Sequence, residues 1–181
     1  MAKKIKVVHL ITSLETGGAQ AILHKIVTGL DKRKFEHHIV FFHTGPYEKV
    51  FKKLRVKTSH ITGGVCAYDP LFLYRLYQTV KELQPDCMHT VLWSANFLGK
   101  IVGWLLHIPV AQVFHNTADH NGMMRNTLDR VMTFKPASSI AISDSVKASF
   151  AKKVPWVSES MDVIKNGINQ DVVWIAAEKE E

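Results

Sequence analysis

The sequence predicts an α/β fold in which one mostly parallel sheet is wound in both directions and carries helices on both faces. Two observations carry this prediction. Short β-branched runs alternate with longer amphipathic ones through most of the 181 residues, the pattern of strands joined by right-handed crossover helices. The chain also opens on the apolar run Ile5 to Ile11, the turn Ser13-Leu14-Glu15-Thr16-Gly17-Gly18 and an apolar helix, which together make a Rossmann-like first unit.

The elements follow in order. A strand over Ile5 to Ile11 leads to a helix over Ala19 to Leu30, in which Ile22, Leu23, Ile26, Val27 and Leu30 make one apolar stripe. A strand over His37 to Phe42 precedes a short helix over Tyr47 to Leu54, and a strand over Thr58 to Ile61 precedes a helix over Pro70 to Leu83. Asp69-Pro70 marks the start of that helix as an N-cap followed by proline at the first helical position. A strand over Cys87 to Leu92 feeds a helix over Ala95 to Leu106, for which Ser94 is the expected hydroxyl cap. Strands over Val110 to Phe114, Ser139 to Ile142 and Asp162 to Lys165 alternate with helices over Met123 to Phe134 and Asp144 to Lys152. The end, Gln170 to Glu181, reads as helical and strongly charged.

With 46% hydrophobic residues the chain can bury a core. The expected organisation is one domain over residues 1–169, with 170–181 starting a linker or a C-terminal helix. Cys66 and Cys87 lie far apart and form no C-x-x-C pair, which favours a reducing compartment and a cytoplasmic reading. Lys3 and Lys4 are followed by a strand rather than a cleavable apolar segment. The longest apolar stretch, Ala95 to Leu106, is interrupted by Lys100 and falls short of the roughly 20 residues that cross a bilayer.

The net charge of +7 and the pI near 9.4 suit phosphorylated substrates, an anionic membrane surface or nucleic acid. Nucleic acid is the least supported, because the basic residues are dispersed and are not interleaved with aromatic ones. The helix Tyr47 to Leu54 sets Tyr47, Val50, Phe51 and Leu54 on one face and Lys49, Lys52 and Lys53 largely on the others. It fits either a helix packed on the sheet or one lying on anionic lipid at the inner face of a membrane.

In a sheet of this kind ligands bind beyond the carboxyl ends of the strands, where strand order reverses. With the first strand central, the reversal falls between the first and fourth strands, and Gly17-Gly18 would face Trp93-Ser94-Ala95-Asn96 across one cleft. The glycine pair leaves a helix start open to an anion, since the first amides of a helix lack internal partners. It is not the G-x-G-x-x-G fingerprint and also fits a plain connecting turn. Polar residues at the other strand ends, His115-Asn116, Ser143-Asp144 and Asn166-Gly167, make Asn116, Ser143, Asn166 and Gly167 substrate-binding candidates alongside Gly17, Gly18 and Asn96. Ser143 or Asp144 would also cap the helix that follows. His115 ends an apolar run and begins a polar one. It can hold a phosphate or sugar hydroxyl, exchange a proton, or satisfy a loop carbonyl. A spacing of five between His115 and His120 is poor zinc geometry, so no metal is expected. His37, His38 and His60 read as surface residues flanking strands. There is no G-x-S-x-G elbow and no Walker sequence.

Taken in order, these motifs resemble the N-terminal half of a GT-B glycosyltransferase of family 4, the retaining group 1 enzymes. The pieces are Thr16-Gly17-Gly18-Ala19, Gln84 to Thr90, Ser94-Ala95-Asn96, Val113-Phe114-His115-Asn116, Ile140 to Asp144 and Val163 to Asn169. The resemblance implies a half that supplies most of the acceptor site, while a second Rossmann-like half holds a nucleotide-activated sugar. Gly17 and Gly18 would approach the acceptor and the donor diphosphate, His115 would be the catalytic-site residue beside the transferred sugar, and Asn166-Gly167 would mark the approach to the hinge. The implied chemistry is same-face substitution in which the leaving diphosphate helps take the acceptor's proton, with no cofactor and no divalent metal. The implied partners are a nucleotide-sugar donor, a glycan or lipid-linked acceptor and a C-terminal donor-binding domain. The family's pair of glutamates separated by seven residues is missing from this sequence. The chain alone is therefore expected to be inactive, as an excised domain, one part of a split protein or a remnant. The other readings are a non-catalytic glycan- or partner-binding module and half of an epimerase-like protein acting on nucleotide sugars.

Overall fold

The computed structural model describes residues 3–63, 69–131 and 138–167. The helical reading of 170–181, residues 132–134 of the fifth expected helix, and Cys66 lie outside them. The described strands are β1 (Ile5–Ser13), β2 (Phe35–His43), β3 (Lys57–His60), β4 (Cys87–Val91), β5 (Val110–Phe114), β6 (Ser138–Ala141) and β7 (Met161–Val163). The helices are α1 (Gly18–Gly29), α2 (Pro46–Lys53), α3 (Pro70–Leu83), α4 (Trp93–Leu106), α5 (Gly122–Val131), α6 (Asp144–Lys153) and α7 (Pro155–Glu159). The strands form one sheet in the order β3-β2-β1-β4-β5-β6-β7, and every pair is parallel. The expected reversal between the first and fourth strands is therefore present.

Period-two alternation sorts the core into two layers. Val8, Leu10, Val40, Phe42 and Met88 face α3 and α4, meeting Phe72, Leu76 and Val80 of the first and Leu98 and Val102 of the second. Ile11, Ile39, Phe41 and Val91 face α1 and α2, meeting Leu23, Val27 and Phe51. Burying each such side chain fully contributes about 1.5–3 kcal/mol. A third cluster joins Phe114 and Ala141 to Val146 and Phe150 of α6 and to Met161. Helix α4 can lie close to the sheet because two of its residues are glycine. A Cβ at Gly99 would stand 2.5 Å from Thr90 Cγ2, and one at Gly103 2.2 Å from Val110 Cγ2.

Two expectations are corrected here, and one left open is decided. Ser94 does not cap α4: the helix begins at Trp93, its N-cap position is Leu92 without a side-chain cap of its own, and Thr12 Oγ1 on β1 accepts from the Ala95 N–H at 3.2 Å. His37 and His38 are buried inside β2, because the strand starts at Phe35, four residues before the apolar run Ile39 to Phe42. The stripe of α2 is committed to the sheet, with Phe51 fully buried and Tyr47 and Leu54 packed against the same cluster, so it offers lipid no apolar face. Asp69 does cap α3, accepting from Leu71 N–H at 2.9 Å. The short α7 and a 3-10 turn over Ala118–Asn121 had no distinct signal. Among the described residues no helix is long and apolar enough to cross a membrane.

Candidate functional site

At the carboxyl rim of β1, β4 and β5 lies a polar cavity of about 230 Å³. Its wall includes Thr12 from the end of β1, Trp93 and Ser94 from the start of α4, His115 and Asn116 from the end of β5, and Arg125 from α5. The loop that delivers α4 to it is strained. Leu92 has φ 73° and ψ 156°, a region populated essentially by glycine and costing on the order of 1–3 kcal/mol for other residues. The Leu92 carbonyl accepting from Asn96 N–H at 2.9 Å and the Thr12 cap hold it there, so the first turn of α4 opens onto the cavity.

Trp93 organises one wall. Its indole N–H donates to Asp129 Oδ2 at 3.0 Å, its ring stacks on Phe97 at 5.1 Å between centroids, and the Arg125 guanidinium lies 4.8 Å over it. A cation on an aromatic face is attracted by the ring quadrupole, so Arg125 is held at the cavity's edge. Asp129 is 8% exposed, and burial raises its carboxyl above the usual range against the opposing pull of Trp93 and Lys100.

Asn96 lies on the cavity floor with its side chain engaged on both ends. Thr90 Oγ1 donates to its Oδ1 at 2.7 Å, and its amide donates to the Val113 carbonyl at 3.0 Å. At 3% exposure it ties β4 to β5 beneath the cavity it lines, with one amide hydrogen and one lone pair of its side chain engaged in doing so.

His115 borders two cavities. The second, of about 350 Å³ and mostly apolar, lies between α1 and the strands β4 to β6, with Ala19, Ile22 and Ile26 on one side and His89, Ile140 and Asn166 among the others. Burial lowers the His115 imidazole below its ordinary value, so it is neutral at pH 7, with one N–H to give and one lone pair to receive.

A row of buried imidazoles leads toward it across the sheet. His9 Nε2 is 2.9 Å from His37 Nδ1, and His9 Nδ1 is 3.0 Å from His89 Nδ1; His89 in turn senses the charge of His115. Burial, then the neighbouring imidazoles, hold His9 far below its ordinary value, and burial followed by His115 brings His89 down to about 4. Three neutral rings linked in this way have two self-consistent proton arrangements. Either His37 donates to His9 and His9 to His89, or each donation runs the other way.

The remaining candidates are placed as follows. Gly17 is the N-cap of α1 and no side chain caps that helix, while a Cβ on Gly18 would meet nothing within 4 Å. The start of α1 is thus open, although Ala19, rather than either glycine, borders the second cavity. Asn166 and Gly167 line that cavity, and Lys25 Nζ donates to the Gly167 carbonyl at 3.1 Å. Ser143 borders neither cavity; it caps α6, accepting from Val146 N–H at 3.3 Å. His115, Asn116 and Asn96 are brought together at one rim, and Asn166-Gly167 joins them through the shared wall at His115. Sequence reasoning missed Thr12, Arg125, Asp129 and the row of histidines. Trp93, directly after a strand end, was the one visible signal. Among the described residues no three His, Cys, Asp or Glu side chains are placed to hold a metal ion.

An all-parallel sheet with this strand order and a polar cavity at its switch point defines a Rossmann-like half of a GT-B fold. The sequence profile of glycosyltransferase family 4 matches residues 16–172, and the chain belongs to that family. Among solved structures it is similar to HepE of Anabaena in complex with UDP and glucose (17% identity, TM-score 0.74, 91% of this chain and 45% of that one). It is also similar to a glycosyltransferase of Rickettsia africae (14%, 0.74, 94% and 45%) and to the lipopolysaccharide outer core galactosyltransferase WaaB (14%, 0.68, 91% and 46%). The chain spans less than half the length of each. No match was found among curated protein sequences.

Proposed function

We propose that this chain is the acceptor-side domain of a retaining glycosyltransferase, which works with a second domain that binds a nucleotide-activated sugar and passes that sugar to a glycan or lipid-linked acceptor. The observation that carries the reading is His115, a neutral imidazole on the wall between two cavities at the switch point of the sheet. There it can donate to a hydroxyl of the transferred sugar without adding a charge that would compete with the diphosphate. The open start of α1 at Gly17-Gly18, aided by Arg125, favours developing negative charge on the leaving group. The acceptor's proton passes to that leaving diphosphate, so the domain's task is positioning and electrostatic support. Asn116 faces the first cavity and Asn166-Gly167 the second, where they would guide acceptor and donor respectively. Ser143 would act indirectly, by fixing the start of α6. HepE was solved with UDP-glucose, which makes a UDP-sugar the first donor to test.

The test uses the protein joined to a donor-binding half. His115→Ala should lower turnover about 100-fold or more while the melting temperature stays within a few degrees. Equal losses of rate and stability would assign His115 a structural role and overturn the reading. The chain by itself should transfer no sugar from UDP-glucose to added acceptors; transfer without a partner would show that no second domain is needed.

A further inference from the structure

At the opposite end of the sheet, where the strands begin, a cleft of about 340 Å³ lies among α1, the start of β2 and the turn from α2 into β3. Four cationic residues border it, Lys4, Lys32, Arg55 and Lys57, against the single carboxylate of Glu36. Glu36 is paired with Lys57 at 3.2 Å. Lys4, Lys32 and Arg55 form no ion pair among the described residues.

His37 also borders this cleft. It is 9% exposed, its Nδ1 is taken by His9, and its Nε2 is buried without a hydrogen-bond partner. A buried polar atom left unpaired costs about 1–3 kcal/mol and is uncommon in folded proteins. Here the residue that carries the orphan group lines a cleft in which positive charge is in excess.

We propose that this basic cleft is a second anion site, taking a phosphate group on the His37 Nε2–H with Lys4, Lys32 and Arg55 around it. A tetrahedral oxyanion suits the set because it offers several acceptor oxygens to donors arriving from different elements. Binding selects one of the two arrangements of the imidazole row. With the His37 proton on Nε2, its Nδ1 accepts from His9 and His9 Nδ1 accepts from His89, leaving the far nitrogen of His89 as a bare lone pair. The occupied cleft thereby sets which nitrogen of His89 carries the proton on the side of the His115 cavity, and it does so without moving the backbone.

Inorganic pyrophosphate titrated into the purified chain, followed by long-range proton–nitrogen spectra of the imidazoles, tests this. The expected result is a saturable shift of His37 to the form protonated at Nε2. In the double variant Lys32→Ala/Arg55→Ala, both exposed side chains, the apparent affinity should fall about tenfold or more with an unchanged melting temperature. Vesicles containing phosphatidylglycerol separate two sources of the same group. Pelleting that pyrophosphate displaces assigns the site to a lipid headgroup, and pyrophosphate binding without pelleting assigns it to a soluble phosphate. No movement of His37 with either probe overturns the proposal, as does an equal affinity in the double variant.

Discussion

Thr12 caps a helix that begins more than eighty residues further along the chain, and that single hydroxyl connects the end of β1 to the start of α4. Replacing it with valine keeps the shape and removes the acceptor. Thr12→Val should cost about 0.5–2 kcal/mol in a urea melt, and the tryptophan fluorescence should shift as the turn carrying Trp93 relaxes. The buried imidazoles make a second prediction. His9 and His89 have folded values below the ordinary histidine value of 6.5, so above that pH they are neutral folded and unfolded and contribute no pH dependence. As pH falls below 6.5 the unfolded chain takes up protons that the folded one refuses, and stability drops, the share from His89 being complete near pH 4, where it also titrates when folded. From His89 alone the loss is about 3 kcal/mol. Urea melts at pH 7 and pH 5 should show the fall, and His89→Gln should flatten it; a pH-independent midpoint would contradict the assignment. None of these roles was legible in the sequence: His9 and His89 fall inside expected strands that begin where β1 and β4 begin, but which side chains of the neighbouring strands they meet depends on the register between strands.

Among the elements, α4 does most to shape the site, since it supplies both the Trp93 wall and the Asn96 tie beneath the floor. Its closeness to β4 depends on Gly99. Gly99→Ala should cost about 1–3 kcal/mol by overpacking, and the loss should be much reduced when Thr90 is also made smaller, as Thr90→Ser removes the methyl it meets. Differential scanning calorimetry of the single and double variants checks this. The helices and strands themselves were largely readable, because seven apolar runs and the stripes between them follow from burial on one face or two. The start of α4 was not, since a tertiary contact rather than a local cap determines it. Helix α7 has only five residues, too few for a period to show. The stripe of α2 could be seen but not its partner, and a helix on lipid and a helix on a sheet share that pattern.

Across the whole molecule, the switch point could be expected from the order of apolar runs, and polar residues at strand ends marked the rim on which the cavities lie. The walls could not be read in this way: Arg125 and Asp129 reach the site from α5, whose own sequence has no feature pointing there. All seven strands run the same way, so their beginnings and their ends form two separate faces, one bearing the basic cleft and the other the candidate transfer site. A strand of five residues is about 17 Å long, beyond the Debye length of about 8 Å at physiological salt. Changes made at one face should therefore leave the other almost untouched, which frees the starting face for labels, immobilisation or altered charge. The line of three histidines is the exception: it is the one described path by which a proton placed at the first face could be felt at the second.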